Sequence, residues 1–319
     1  MQNLKAAIVV PTIREDNIRA FLSAWNQEFS QHTVIIVEDN PGPSFKISGQ
    51  NVRHYSWADI DSELGKDAWI IPRRTDCVRS YGYYKASRED VDFIVTLDDD
   101  CYPCSPDFLQ EHGRKLSSPA VSPAWVPTGI GVAPRGMPYF SDRREIPCAI
   151  NHGLWTEIPD FDAMTQLVNG RLKQTFERCD QVIPVGSYFP MCGMNLAFRP
   201  QVVPAMYFLL MGQKDWPFDR FGDIWCGLIS KKICDHLNLG VKSGAPAVQH
   251  LRASNVWTNL RKEQPGYEIN ETLWKEIDSI ILTHDTVKDC YAELATKFPL
   301  KGPYWSRLTE AMQIWANLF

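Results

Sequence analysis

The 319-residue sequence has little positive charge and no long apolar run. Lys and Arg together number 33 against 38 Asp and Glu, and no run of Lys or Arg exceeds two residues. Such a chain offers no basic face to a nucleic-acid backbone. The first apolar run, Ala6–Val10, stops at Pro11 and is too short for a membrane-spanning helix or a signal peptide. We therefore expect a cytoplasmic protein that binds neither nucleic acid nor membrane.

Two common nucleotide-binding signatures are also missing. The sequence has no G-x-x-x-x-G-K-[ST] loop, and no G-x-G-x-x-G follows the first apolar run. The nine cysteines have no regular spacing, and the close pair Cys101 and Cys104 lacks a second pair at zinc-finger distance. P-loop, dinucleotide, flavin and zinc-finger chemistry therefore lose their main support, and we expect the cysteines to be reduced thiols.

Alternating apolar and polar segments predict an α/β fold. Runs rich in β-branched residues predict strands over Ala6–Val10, Val34–Val37 and Phe93–Leu97. Between the first two, a helix is predicted by apolar residues at helical spacing, namely Ile18, Phe21, Leu22, Trp25 and Phe29. This alternation is typical of a mostly parallel sheet flanked by helices.

The remainder of the chain is expected to hold long loops and then helices. Pro and Gly are frequent over residues 117–153, which favours loops over the sheet edge. Beyond Thr272 the pattern becomes helical, with one apolar stripe formed by Trp305, Leu308, Met312 and Trp315. We predict a main α/β domain over residues 1–270 and a helical extension over residues 271–319 that packs on it.

Three consecutive aspartates, Asp98, Asp99 and Asp100, directly follow the third predicted strand. Ligands of parallel sheets bind at the carboxyl ends of the strands. Adjacent carboxylates repel one another unless a cation lies among them. Hard oxygen ligands suit Mg²⁺ or Mn²⁺, which also bridge to phosphates. The hypothesis is therefore a divalent-metal and diphosphate site, and the alternative is a solvated acidic turn or helix cap.

His250 is a candidate second metal ligand through a ring nitrogen. It lies far along the chain from the aspartates, in Val248-Gln249-His250. The alternative is a histidine with only a structural role, which is the more common case for a single histidine.

Seven segments spread over nearly the whole chain carry a specific resemblance. They are VVPTIR (9–14), RSYGY (79–83), TLDDDC (96–101), HGLWTEIPDFDAMTQL (152–167), PMCGMNLAF (190–198), CDHLNLGVKSG (234–244) and HLRASNVWTNLRKE (250–263). In this order they are similar to the reversibly glycosylated polypeptides, which form glycosyltransferase family 75 and include the plant UDP-arabinopyranose mutases.

The resemblance implies a GT-A-like nucleotide-sugar domain, a UDP-sugar substrate and a Mn²⁺ cofactor, with Mg²⁺ as the substitute. The implied reaction interconverts UDP-arabinopyranose and UDP-arabinofuranose, or a related UDP-sugar pair, with self-glycosylation on an arginine. Two other functions stay open: a glycosyltransferase that passes the sugar to an external acceptor, and a non-catalytic subunit of a mutase complex. Assembly into a homo-oligomer or a hetero-oligomer is also open.

By local match, the resemblance implies that Arg143 is the glycosylated arginine and that Asp223, or another carboxylate of the site, is the base that activates it. The alternative for Arg143 is a charge clamp on the diphosphate. Arg143 lies in Ser141-Asp142-Arg143-Arg144-Glu145, where the family has Ser-Leu-Arg-Glu-Gly, so Arg144 is an adjacent competitor. Asp223 matches an acid in the family's Asp-Asp-Met-Trp stretch, whose first acid is replaced here by Gly222. Without the resemblance, Asp223 would be interpreted as a helix N-cap.

The resemblance also assigns residues to the two ends of the substrate. The metal ligands are Asp100 and His250. The residues expected to bind the nucleotide are Thr12, Arg14, Asp39, Asp98 and Asp99. Those expected to bind the sugar are Asp160, Asp162, Met194 and Asn195. For Thr12 and Asp39 the alternative is a role in turns, because Pro11 and Asn40-Pro41-Gly42 are good turn formers.

Overall fold

A computed structural model gives the structure of the protein and describes residues 4–47, 49, 51–123, 135–136, 143–170, 180–213, 216–251 and 255–319. Its strands are β1 Ala6–Thr12, β2 Thr33–Glu38, β3 Val52–Tyr55, β4 Phe93–Leu97, β5 Cys101–Pro103, β6 Ala120–Pro123, β7 Arg143–Ile146, β8 Cys148–Glu157, β9 Asp180–Ile183, β10 Asn195–Phe198 and β11 Gly240–His250. Its helices are α1 Glu15–Ala24, α2 Asn26–Phe29, α3 Trp57–Leu64, α4 Arg79–Ala86, α5 Phe108–Ser117, α6 Ala163–Asn169, α7 Gly222–His236, α8 Val256–Glu263, α9 Tyr267–Asp278, α10 Val287–Lys297 and α11 Pro303–Ala316.

One large sheet organises the described residues, in the strand order β3-β2-β1-β4-β10-β8-β11-β5, with β9 paired to β11. Strands β3, β2, β1 and β4 run parallel, and so do β8 and β11. Strand β10 lies antiparallel between β4 and β8, so β8 points the same way as β4. The expected α/β class with a mostly parallel sheet between helices is confirmed.

The strands that the sequence predicted are buried because both faces of the sheet are covered. The residues of β4 and of β1 up to Val10 are buried, and apolar clusters lie on each side of the sheet. Continuous apolar runs are the pattern that such doubly covered strands require. Residues of α9, α10 and α11 belong to one of these clusters, and the predicted stripe Trp305, Leu308, Met312 and Trp315 is buried in it.

Two local predictions differ from the structure. Residues 117–153 were expected to be long loops, but β6, β7 and the start of β8 lie in this range. The prediction was wrong there because Pro and Gly frequency does not reveal pairing with distant strands, such as that of β8 with β10 and β11. The helix predicted through Phe29 breaks at Trp25, whose indole donates to the carbonyl oxygen of Cys101 at 2.9 Å.

None of the helices in the described ranges combines the length and the apolar character that a membrane crossing needs.

Candidate active site

The carboxyl edge of the sheet holds a cavity of about 610 Å³. The strand directions explain its position, because β1, β2 and β4 end at this edge and the antiparallel β10 begins there. Its charged lining consists of Arg14, Asp39, Arg74, Asp76, Arg79, Asp98, Asp99, Asp100, Asp160, Asp162, Asp219, Arg220, Asp223, Lys262 and Glu263. The structure thus brings together residues from strand ends that are far apart in the sequence.

Arg79 fixes the first aspartate of the triple. Its guanidinium is 2% exposed and donates to Thr96 Oγ1 at 2.9 Å, to the Gly193 carbonyl oxygen at 2.6 Å and to the Asp98 carboxylate. Loss of hydration works to raise the pKa of Asp98, but the charge of Arg79 overcomes it and holds that pKa below its ordinary value. Asp98 therefore stays ionised and is aimed at the cavity.

The carboxylate of the second aspartate, Asp99, is bound by side chains of β1 and of the turn that follows it. Asp99 is 2% exposed, accepts a hydrogen bond from Thr12 Oγ1 at 2.6 Å and forms an ion pair with Arg14. Burial raises the pKa of Asp99 despite these two partners. Thr12, Arg14 and Asp99 were each expected to contact the nucleotide. All three line the cavity, and the Asp99 carboxylate holds Thr12 and Arg14 in place.

The third aspartate, Asp100, lies close to a ring nitrogen of His250. Asp100 Oδ1 is buried and accepts no hydrogen bond within the described residues. It lies 3.8 Å from His250 Nε2, while His250 Nδ1 lies 2.8 Å from the Ile158 carbonyl oxygen. That contact places the ring proton of a neutral His250 on Nδ1 and leaves the Nε2 lone pair directed towards Asp100. Burial and the charge of Asp98 raise the pKa of Asp100 to about 6.

Asp100 and His250 fit a divalent cation by this geometry. A metal-bound histidine commonly donates its other N–H to a carbonyl oxygen, as His250 does to Ile158. Across the described ranges, no three His, Cys, Asp or Glu side chains already converge on one point. A cation here would therefore take two protein ligands and complete its shell with phosphate oxygens and water, which is the usual manner of Mg²⁺.

The charged side chains that line the cavity also favour a bound cation. The cavity is lined by ten carboxylates and five cationic side chains among the described residues. Four of the cations are already paired, as Arg14 with Asp99, Arg79 with Asp98, Arg220 with Glu263 and Lys262 with Asp219. A diphosphate would be repelled from such a surface unless a further cation came with it.

Asp39 organises another part of the cavity lining. Its carboxylate accepts hydrogen bonds from the Trp57 indole N–H at 2.7 Å and from the Thr75 amide at 2.8 Å. Burial raises the pKa of Asp39 against these bonds. The adjacent Arg74 has φ +60° and lines the cavity, with its guanidinium 5.0 Å from the centre of the Trp57 ring.

Asp223 lies in the first turn of α7, which begins at Gly222, so the N-cap alternative does not hold. Its carboxylate accepts from the Gly193 amide at 3.0 Å and from the Ile224 amide at 2.9 Å. Loss of hydration and the charges of Asp76 and Asp160 raise the pKa of Asp223 to about 7. A carboxyl group with this pKa can take up and release a proton near neutral pH.

Three of the four predicted sugar-binding residues line the cavity. They are Asp160, Asp162 and Met194. Asp162 also caps α6 by accepting from the Thr165 amide at 3.0 Å. Asn195 is 1% exposed, and its amide group is committed to the Leu154 and Pro246 carbonyl oxygens and to His112. The prediction that Asn195 binds the sugar is therefore corrected, because its side chain is buried against the Leu154 and Pro246 carbonyl oxygens.

A family model for the reversibly glycosylated polypeptide matches residues 1–319. The chain belongs to the reversibly glycosylated polypeptide family. Three plant proteins are similar over 97% of this chain. The probable UDP-arabinopyranose mutase 1 of Pisum sativum is 38% identical over 89% of its own length, and UDP-arabinopyranose mutase 2 of Arabidopsis thaliana is 38% identical over 89%. UDP-arabinopyranose mutase 1 of Oryza sativa subsp. japonica is 37% identical over 88% of its length.

Gly222, at the position of the missing family acid, has a structural explanation. A Cβ at Gly222 would lie 2.7 Å from the Cys77 sulfur and 2.7 Å from the Phe208 carbonyl oxygen. No side chain of any size fits there without movement of the backbone, so Asp223 is the one acid of the pair that this turn can hold. The backbone of Arg143 and Arg144 begins β7, and their side chains lie outside the part of the chain that the structure describes.

Several residues of the family member's cavity were not assigned from the sequence. They are Arg74, Asp76, Arg79, Asp219, Arg220, Lys262 and Glu263. Arg79, Lys262 and Glu263 lie in segments that carried the resemblance, but none of them follows a motif with a recognisable chemistry. Their roles depend on partners far away in the sequence, which no local pattern reveals.

Proposed function

We propose that this chain is a UDP-arabinopyranose mutase that interconverts UDP-arabinopyranose and UDP-arabinofuranose. The observation that carries the proposal is its 37–38% identity over 97% of its length to proteins named UDP-arabinopyranose mutase. The cavity supports it, because its lining includes acids that suit a nucleotide with its metal and also Asp160, Asp162 and Asp223, which suit sugar hydroxyls.

Substrate binding uses the edge of the sheet. In the proposal, Thr12, Arg14 and Asp39 hold the nucleoside, and Asp98 accepts from a ribose hydroxyl. Asp100 and His250 hold Mn²⁺, for which Mg²⁺ can substitute. When bound, the ion supplies the positive charge that makes the diphosphate a stable leaving group.

The sugar is then held on the protein during ring contraction. The bond from the anomeric carbon to UDP breaks, a bond to a guanidinium nitrogen of Arg143 forms, and that nitrogen gives up one proton. The ring opens at its C1–O5 bond and recloses through O4, with the O4 proton passing to O5. UDP then forms its bond to C1 again as the C1–N bond breaks, the proton returns to Arg143, and the furanose form is released. The adduct keeps the open sugar from escaping.

Arg143 needs a base for this step, because a guanidinium with a pKa above about 12 is a poor nucleophile. Asp223 is the proposed base. Its pKa, raised to about 7, gives its carboxylate more basic strength than an ordinary aspartate and still leaves it ionised at slightly alkaline pH. Asp160 and Asp162 orient the sugar for this step.

A cytoplasmic location is part of the same proposal. The eight cysteines of the described residues are all free thiols, including the pair Cys101 and Cys104. Free thiols are typical of a reducing compartment.

The decisive experiment incubates the purified chain with Mn²⁺ and UDP-arabinopyranose in the absence of any acceptor. The product is resolved by chromatography, and the protein is weighed by mass spectrometry. We expect UDP-arabinofuranose and a protein carrying one added pentose. Arg143→Ala should abolish both, and the matched variant Arg144→Ala should retain both.

Each result that differs from these expectations indicates a different function or a different glycosylated residue. Sugar transfer that occurs only when an acceptor is added would replace the mutase by a conventional glycosyltransferase. No turnover by the chain alone, with turnover restored by a second subunit, would make it a non-catalytic partner. Retention of product and label by Arg143→Ala, with loss in Arg144→Ala, would move the adduct to Arg144.

A further inference from the structure

Glu263, the last residue of α8, is a buried carboxylate with three donors from three different parts of the fold. Its side chain is 5% exposed. It accepts from the Ala163 amide at 2.7 Å, from Arg220 Nε at 2.8 Å and from the Tyr267 hydroxyl at 3.0 Å. A buried carboxylate is costly unless its oxygens are satisfied in this way.

Two of these contacts reach different segments that line the cavity. Ala163 is the first residue of α6 and directly follows the sugar-side segment Asp160–Asp162. Arg220, in turn, precedes Phe221 and α7, which carries Asp223. The negative charge of Glu263 also lies at the N-terminus of α6, where the helix dipole favours an anion. One side chain thus joins the wall that faces the sugar to the segment that carries the base.

Backbone geometry at the same junction shows how closely these segments fit. Arg220 has φ +66°, a left-handed conformation that a non-glycine residue adopts only when its surroundings hold it there. A Cβ at Gly266, three residues after Glu263, would lie 2.3 Å from the Phe221 ring. The turn after α8 therefore packs directly against Phe221, the residue that precedes α7.

We infer that Glu263 is a positioning residue for the sugar step. Resting on the proposed mutase function, this role is to hold Asp160 and Asp162 at a fixed distance from Asp223. The nucleotide end of the cavity is built by other residues, those of β1, β2 and the triple aspartate. Loss of Glu263 should thus impair turnover of the sugar and leave UDP binding intact.

The test compares Glu263→Gln with wild type in the full-length protein with Mn²⁺. The glutamine keeps the volume and one acceptor oxygen, but it presents an N–H group to Arg220 or to Ala163. We expect kcat for UDP-arabinofuranose formation to fall on the order of 100-fold, as for a displacement of about 1 Å at a reacting centre. UDP affinity, measured by titration calorimetry, should stay within about 2-fold, because the groups that bind UDP keep their full affinity.

Two further variants separate positioning from simple packing. Glu268→Gln changes an exposed glutamate on the next helix and should leave kcat unchanged. Arg220→Gln breaks the same contact from the other side, so the double variant should lose little more than either single one. If Glu263→Gln is too unstable to purify, Arg220→Gln alone carries the test, with the same expected fall in kcat.

Wild-type kcat in both Glu263→Gln and Arg220→Gln would overturn the inference, and so would an equal loss of UDP affinity and kcat. Wild-type protein that binds UDP but forms no UDP-arabinofuranose would overturn the proposed function and this inference with it.

Discussion

Asp100 Oδ1 and His250 Nε2 lie 3.8 Å apart, and the buried Asp100 Oδ1 accepts no hydrogen bond in the described residues. Asp100 directly precedes β5, whose Cys101 pairs with His250 at the end of β11, and this strand pairing brings the two side chains together. A buried pair of ligand atoms with free lone pairs is suited to share a cation.

Removing either ligand should therefore weaken metal binding. We expect Asp100→Asn and His250→Gln each to lower Mn²⁺ affinity in the presence of UDP on the order of 10–100-fold. Titration calorimetry measures this directly. Asp90→Asn, at an exposed aspartate paired with Lys5, is the control and should bind Mn²⁺ as wild type does. Equal Mn²⁺ affinity in all four proteins would contradict the assignment.

Arg79 should contribute to folding stability as well as to the site. Arg79→Leu leaves the Asp98 carboxylate and the Gly193 carbonyl oxygen without their donor. Breaking a buried pair from one side costs about 3–5 kcal/mol, and we expect the lower end because Asp98 is 33% exposed. Urea unfolding monitored by tryptophan fluorescence measures the loss. Arg19→Leu, at an exposed pair with Glu15, should change stability by less than about 0.5 kcal/mol.

The raised pKa of Asp223 predicts that the folding stability depends on pH. Its pKa is about 7 in the folded protein against an ordinary 3.8. Between these values the folded state holds a proton that the unfolded state has lost, so stability falls as the pH rises from about 4 to about 7. Asp223→Asn should lack this fall. The measurement is the difference in unfolding free energy between the metal-free variant and metal-free wild type across that range, and a difference independent of pH would contradict the raised pKa.

The same group should set the pH dependence of self-glycosylation. As a base, Asp223 acts only when ionised, so the rate of labelling should rise through pH 7 and level off above it. Single-turnover labelling with radioactive UDP-sugar measures this rate. Residual labelling in Asp223→Asn should lack that rise, whereas an unchanged pH profile would show that another group accepts the proton.

Arg74 and Arg73 form a matched pair for testing nucleotide binding. Both guanidinium groups lie over Trp57, but Arg74 lines the cavity whereas Arg73 pairs with Asp61. We expect Arg74→Ala to lower UDP affinity about 10-fold or more, since a charge-assisted hydrogen bond contributes about 1.5–3 kcal/mol. Arg73→Ala should leave UDP affinity unchanged. Titration of both variants with UDP and with uridine shows whether the loss depends on the diphosphate, and a loss in Arg73→Ala alone would reverse the assignment.

Much of the sheet could be predicted because its first strands are apolar runs that end in acids. Ala6–Val10, Val34–Val37 and Phe93–Leu97 all lie in strands, and their parallel pairing puts Asp39 and Asp98 at one edge. Strand β10 could not be predicted from a four-residue run such as Asn195–Phe198, which is too short for any periodicity to distinguish. Asn195 was assigned to the sugar side from the family resemblance alone, which carries no information on the buried hydrogen bonds of its side chain.

The sequence by itself determined the α/β class, the family and the edge at which the acids gather, because these depend on local patterns and on matching segments. Only the tertiary structure decided which groups each charged side chain contacts. Asp99 pairs with Arg14 across 85 residues, and Ala163 donates to Glu263 across 100. Such pairs form where strands and helices cross, and their energies depend on burial and distance, which do not appear in any stretch of sequence.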